Sequence, residues 1–401
     1  MSRLGVCFVG AGGAVASTVI AGVALMKRGL SPRIGMVTET GGLPQTLGCA
    51  PLDSLVFGGW DIRDANIFEA ALRERIVPEQ LLRKVEPELR AIKPWPGVVS
   101  EKFLGTADAN NVVTAKGHRE ELELLTRNLK EFKAANKLDR LIIVNLGSTE
   151  RHTEVADVHR SIAAFEQGLT RNDERISPAM KYLYLACKLG AGHVNFTPSL
   201  TKVPALEALA ESAGIPIAGE DGKTGQTLLK TALAPAFLVR QLKVEGWFST
   251  NILGNNDGRV LDDPESNKTK VASKLSVLDE ILGYEVTDHQ VHINYYRPRG
   301  DEKEAWDNID VLGFLGERMQ IKINFLCKDS ILAAPLVLDL VRLMDVAQRC
   351  GERGIQRQFS LFFKAPYHRD DERAVNDLFK QSALLQEWVE KVARSTVRAA
   401  V

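Results

Sequence analysis

Lys270 and Lys274 stand four residues apart, so on a helix their ammonium groups share one face about a turn from each other. Such a pair is either solvated or gathers an anion, and a desolvated member can give up its proton easily enough to act as a base. Lys364 follows the largely apolar run from Phe359 to Phe363, an odd place for a lysine that serves only solvation. Lys303, in Gly300-Asp301-Glu302-Lys303, carries little signal by itself. Amines of this kind suit reactions in which oxyanions form and protons move.

Several polar segments could present a phosphorylated or hydroxylated ligand to them. Gly219-Glu220-Asp221-Gly222-Lys223-Thr224-Gly225-Gln226-Thr227 runs into an apolar helical stretch from Leu228. Its amides, two hydroxyls and a lysine at a helix start make a phosphate cradle, although the spacing is not that of a P-loop and a capped surface turn would read the same way. The stretch from Ser249 to Gly258 ends an apolar strand with Asn251, Asn255, Asn256 and Asp257, which fits sugar or ribose hydroxyls or simply a hairpin turn.

Gly10-Ala11-Gly12-Gly13-Ala14-Val15 sits between a strand-like and a helix-like run, where small residues let a dinucleotide pyrophosphate approach backbone amides and the positive helix end. It departs from G-x-G-x-x-G because Val15 holds the last glycine position, and Glu39 lies further on than the usual spacing of about 20 residues. Asp61, closing Gly58-Gly59-Trp60-Asp61, either accepts hydrogen bonds from a ribose diol or caps a helix starting near Ala65.

Other chemistries are disfavoured. Of the seven histidines, His289 and His292 are close in sequence, but their segment alternates like a strand and sends them to opposite faces. Neither H-E-x-x-H nor G-x-S-x-G is present. The five scattered cysteines form no C-x-x-C pair, which argues against a disulfide framework or structural zinc and fits a reducing cytoplasm. Lysine plus arginine balances aspartate plus glutamate at 51 each, so no global field favours nucleic acid or an anionic membrane. The chain opens on a strand-like run with no signal-peptide pattern, and no apolar stretch reaches the length of a membrane span.

At 401 residues, 45% apolar and 25% charged, the chain fits two globular domains or one large domain with an insertion. Short apolar runs at Leu4 to Val9, Arg33 to Val37, Ser54 to Phe57, Leu141 to Asn145 and His193 to Phe196 predict strands. Amphipathic stretches such as Glu79 to Ile92 and His118 to Leu138 predict helices between them, hence a doubly wound parallel sheet. Beyond about residue 227, Trp247 to Leu253, Asp288 to Tyr296 and Met319 to Leu326 alternate with period two, which predicts an antiparallel sheet with one exposed face. Helices from Ile331 to Cys350 and from Glu372 to Ala393 close the chain.

GAGGAVAST, GGWDI, GKTGQT, NILGNNDG, TKVASK, RGDEK, CKDSILAAPLVLDL and FKAP fall in the order found in inositol-3-phosphate synthases, and over nearly its whole length the chain resembles that family. The resemblance implies an α/β Rossmann-like NAD-binding domain from residues 1–226 and 329–401, with an inserted β-rich catalytic and tetramerisation domain at 227–328. It implies cofactor contacts at Gly12, Gly13, Ala14, Val15, Asp61, Ser148, Thr149, Asp221, Asn256, Asp257, Asp301, Asp329 and Ser330. It implies substrate contacts at Thr224, Gly225, Gln226, Thr227, Asn251 and Asn255, and catalytic lysines at Lys270, Lys274, Lys303 and Lys364.

The implied activity is cyclisation of glucose 6-phosphate to a phosphorylated inositol by internal oxidation at C5, enolisation, aldol attack on C1 and reduction, with NAD regenerated in each turnover. A small-molecule sugar phosphate, a homotetramer and a cytoplasmic setting come with it, while any metal or cation requirement stays open. Ala14 and Val15 replace the family's usual asparagines, and Lys328 stands where an acid is usual. The rival readings are a member that closes fructose 6-phosphate to a five-membered carbocycle, a plain dehydrogenase, and a non-catalytic NAD-binding protein.

Overall fold

The computed structural model describes residues 3–104, 109–255 and 277–399. Leu4–Val9 forms β1, and its alternation divides the interior: Leu4, Val6 and Phe8 enter one apolar cluster while Cys7 enters another on the opposite face. Six further strands join it, β2 Leu55–Asp61, β3 Trp95–Pro96, β4 Arg140–Asn145, β5 Gly192–Asn195, β6 Pro216–Gly219 and β11 Gly354–Ile355. They form a parallel sheet in the order β11-β6-β5-β4-β1-β2-β3, with Leu4 beside both Leu55 and Arg140. Helices Ala14–Lys27, Asp329–Arg349 and Leu378–Ala399 cover one face, while His118–Asn136 and Pro178–Leu189 cover the other. This is the doubly wound arrangement, in which ligands bind at the carboxyl edge of the strands.

The backbones of β1 and β2 approach closely at Gly59, which has φ 151°, and an added Cβ there would lie 2.1 Å from the Phe8 carbonyl oxygen. No side chain fits at that point.

A second sheet, in the order β10-β9-β7-β8, is built from β7 Lys243–Leu253, β8 Asp288–Tyr295, β9 Glu302–Leu312 and β10 Arg318–Lys328. Helix Gln226–Val239 covers one face, where Ala234 and Phe237 pack on Trp247, Ile309 and Val311. The opposite face leaves Phe248, Trp306 and Leu326 exposed. The sheet is mixed rather than antiparallel: β7 and β8 run parallel, because a long connection rather than a hairpin joins them, and β9 runs antiparallel to both β7 and β10.

Other expectations from sequence also change. Arg33 to Val37 is not a strand. Gly35 there has φ 90°, and the amides of Val37 and Thr38 are taken by the Asp339 carboxylate at 2.8 and 2.9 Å. Glu79 to Ile92 is not one helix but Glu79–Leu82, a 3-10 turn and Glu86–Arg90, the last carrying Pro87 in its first turn, where proline starts a helix rather than continuing one. The final helix begins at Leu378, not Glu372.

Candidate active site

The carboxyl ends of β1, β4, β5 and β6 open into one cleft, and the second sheet closes its far side. Gly13, Ala14 and Val15 form part of one wall, and Ser148 and Thr149 after β4 form another. The glycine turn is fixed by Gly10 and Ala11 amides donating to the Trp60 carbonyl at 2.8 and 3.0 Å. Gly10 takes φ 79°, and a Cβ there would stand 2.9 Å from the Leu146 carbonyl oxygen. Gly13 precedes helix Ala14–Lys27 with no side-chain cap and no acid in the first turn, so the helix start offers bare amides to an anion. These residues fit a dinucleotide pyrophosphate.

Asp61 is buried beneath this turn and does not cap the next helix. Its two oxygens accept from the Gly12 amide at 2.8 Å and the Arg63 amide at 2.9 Å. Helix Ile67–Glu74 is capped instead by Asn66 and Glu69 in a reciprocal box. Asp61 therefore braces the turn as well as standing at the end of β2.

Across the cleft, segment 362–365 pairs with 220–223, since Lys223 N donates to the Phe362 carbonyl at 2.8 Å and Lys364 N to the Asp221 carbonyl at 2.7 Å. This pairing aims the Lys364 ammonium at the Asp221 carboxylate, 2.8 Å away. Lys303, the second residue of β9, reaches Asp329 at 3.4 Å, and Thr224 donates to the same Asp329 oxygen at 2.7 Å. A Cβ added to Gly225 would lie 3.5 Å from Lys303 Nζ, so that amine sits over the polar loop. Asn251 donates to Gln226, whose amide in turn reaches the Thr250 and Trp306 carbonyls. Asp301 gathers Ser330 N and Oγ at 3.0 Å each and Asn255 at 3.2 Å.

Electrostatics follow from this packing. Burial works against a charged Asp329, but Lys303 and Lys364, with the Thr224 hydroxyl, outweigh it and hold the carboxyl at about 2. For Lys303 burial disfavours the cation, yet Asp329 dominates and the amine is raised above its usual value. Burial first of all raises Asp301. A low-pKa acid facing a raised-pKa amine keeps the pair ionised at neutral pH.

The structure thus brings together Gly13, Ala14, Val15, Ser148, Thr149, Asp221, Thr224, Gln226, Thr227, Asn251, Asn255, Lys303, Asp329, Ser330 and Lys364 along one cleft. Gly12, Gly225 and Asp301 adjoin it through the contacts above. Lys270, Lys274, Asn256 and Asp257 lie outside the described residues. Lys223 does not serve the cradle: it is buried, hydrogen-bonds Gln381 of the last helix, and burial pushes it down to about 7.

Sequence reasoning missed Glu150, because nothing local marks a carboxylate that will be buried. It accepts from the Ala179 amide at 2.8 Å, and its own amide donates to Ser199 Oγ at 3.1 Å, which fixes the turn carrying Ser148 and Thr149. Burial lifts its carboxyl from 4.5 to about 7 against the hydrogen bonds of Ser177 and Ala179 and the charge of Lys181. The folded chain therefore holds a proton there that the unfolded chain releases between the two values, and stability from this group is lost as pH rises through about 7. Glu150→Gln should melt close to the wild type at pH 4 and become the more stable of the two by pH 8, on the order of 2 kcal/mol. Thermal unfolding of both proteins across that range checks it; a constant difference would sink it.

A parallel sheet with a glycine turn at a bare helix start and a polar loop after β6, facing Lys364 and, from the second sheet, Lys303, defines an NAD-binding α/β enzyme. Residues 4–390 match the sequence profile of the family described as myo-inositol-1-phosphate synthase. Inositol-3-phosphate synthase 1 of Bacteroides thetaiotaomicron is 43% identical over 404 residues, covering 96% of this chain and 94% of that protein. Inositol-3-phosphate synthase of Brassica napus is 31% identical over 432 residues, covering 96% of this chain and 84% of its own. The crystal structure of inositol-3-phosphate synthase from Caenorhabditis elegans superposes with a TM-score of 0.92 at 27% identity, covering 98% of this chain and 86% of that one. The chain belongs to the myo-inositol-1-phosphate synthase family, an NAD-binding family whose profile spans both sheets.

Proposed function

We propose that this protein cyclises D-glucose 6-phosphate to 1D-myo-inositol 3-phosphate. The observation that carries the reading is the convergence of Lys303 and Lys364, each fixed by a carboxylate, on the Thr224 to Thr227 loop across from the glycine turn. When bound, NAD supplies the oxidising and reducing equivalents of a redox-neutral ring closure.

The loop's amides and hydroxyls hold the phosphate, and Asn251 and Asn255 receive sugar hydroxyls. Lys303 stays cationic beside Asp329 and stabilises the oxyanion that forms on ketone or aldehyde oxygen, a role in a water-poor site that a carboxylate cannot fill. Lys364 holds phosphate or oxyanion, Lys274 does likewise, and Lys270 shares proton transfer with Lys303. Residues 1–226 with 329–401 make the cofactor domain, and 227–328 the inserted catalytic domain. The five cysteines, all free thiols, support a cytoplasmic setting, and among the described residues no helix is long and apolar enough to cross a membrane.

The test is to incubate purified protein with NAD and either glucose 6-phosphate or fructose 6-phosphate, following products by phosphorus NMR and NADH by absorbance. Inositol phosphate from glucose 6-phosphate without net NADH is the expected result. Product from fructose 6-phosphate alone would replace the reading with five-membered ring formation, and accumulating NADH would replace it with a dehydrogenase.

A homotetramer is part of the proposal, supported by the open face of the second sheet with Phe248, Trp306 and Leu326 half-exposed on it. Light scattering should return about four times the chain mass of 44.1 kDa. A mass of one chain would remove this element.

A further inference from the structure

Ala14 and Val15 open the helix at the glycine turn and line the cleft, but neither side chain can donate a hydrogen bond to a phosphate. The charge around them is moreover unfavourable to an anion. Asp61 lies just beneath, bonded to the Gly12 amide, and Glu74 lines the same wall. Arg73 offsets Glu74, pairing with it at 3.0 Å and donating to the Gly12 carbonyl at 2.7 Å. The Asp61 charge has no side-chain cation bonded to it among the described residues.

Arg63 also lines this wall. It follows β2 by two residues, at the carboxyl edge of the sheet, and is half-buried. Its backbone is pinned, since the amide donates to Asp61 at 2.9 Å, while its guanidinium enters no ion pair or hydrogen bond among the described residues. A half-buried arginine, anchored through its backbone and lining the same cleft as a turn that offers only backbone amides, is placed to serve as an anion ligand.

We infer that Arg63 is a phosphate ligand of the dinucleotide, supplying the side-chain donors that positions 14 and 15 lack. The inference rests on the NAD reading above. Arginine's fork can bind two phosphate oxygens at once, and its charge cancels that of Asp61 as the anion arrives.

The test uses the full chain and measures binding rather than turnover. NAD and ADP-ribose are titrated calorimetrically, and adenosine by ligand-observed NMR, into the wild type, Arg63→Gln and Arg63→Lys. Arg63→Gln should weaken NAD and ADP-ribose about 10- to 100-fold and leave adenosine unchanged, with Arg63→Lys between, as loss of a charge-assisted contact predicts. Equal ADP-ribose affinity in Arg63→Gln and the wild type would overturn the assignment. So would a parallel loss of adenosine, which would make Arg63 a stacking surface for the base. If the wild type bound neither NAD nor ADP-ribose, the cofactor reading itself would fall, and this inference with it; unchanged melting of Arg63→Gln separates a lost contact from misfolding of the variant.

Discussion

Lys303→Met should lower the rate of cyclisation about a hundred- to a thousand-fold while leaving the protein folded, the loss typical of removing one donor from a preorganised oxyanion site. Methionine has nearly the length of the lysine stem and follows the same path from β9, where residue 303 faces Cys327 of β10. What disappears is the charge. That charge is secured in the wild type by Asp329 at 3.4 Å, which keeps the amine protonated although burial opposes it. Asp329 retains the Thr224 hydroxyl and the nearby Lys364 in the variant, so it is not left as a lone buried charge and the cost to folding stays below that of breaking an isolated pair. Lys303→Arg should recover little, because a planar fork cannot occupy the place of a compact ammonium over Gly225. Turnover measured by phosphorus NMR on variants with native circular dichroism checks the assignment; a Lys303→Met rate within threefold of the wild type would exclude an oxyanion role.

The parts of the fold that the sequence made legible are those whose burial follows from their own residues. Leu4–Val9 is apolar on both faces and could only be a central strand, and Leu122, Leu125 and Leu129 mark the inner stripe of helix His118–Asn136. β9 was not legible, because its charges look like a surface loop until their partners are known. Asp307 is buried by accepting from Trp247 Nε1 and Ser249, and Glu304 pairs with Arg299. Arg33 to Val37 has the composition of a strand, but its amides go to Asp339, some three hundred residues distant. Lys223 and Lys364 show the same limit within the site. One lies in a polar loop and the other after an apolar run, yet a remote partner decides which enters the cleft, Gln381 for the first and Asp221 for the second. Motif order suggested a lysine set, of which Lys303 and Lys364 lie in the cleft while Lys270 and Lys274 fall outside the described residues, whereas local spacing left each member ambiguous and gave no reason to look at Arg63 or Glu150.

Asp329→Asn should be nearly as damaging as loss of Lys303, and its pH dependence identifies the cause. Asparagine can still accept from Thr224, so the polar loop keeps its anchor, but the charge that gathers Lys303 and Lys364 is gone. With Asp329 removed, burial becomes the dominant influence on Lys303, whose proton is then lost at lower pH than in the wild type. The alkaline limb of the activity profile should therefore move toward neutrality, and activity at pH 8 should fall about a hundredfold, as expected when a preorganised cation is weakened. Stability gives an independent check with its own sign. The Asp329 carboxyl is depressed from 3.8 to about 2 in the folded chain, so it contributes stability above the unfolded value and loses it as pH falls through about 2. The wild type should exceed Asp329→Asn by on the order of 2 kcal/mol at pH 7, and the gap should close between about pH 4 and pH 2. An unchanged alkaline limb combined with a pH-independent stability difference would mean that Asp329 only fills space beside Thr224, and that the charge of Lys303 is set by groups other than the one it touches.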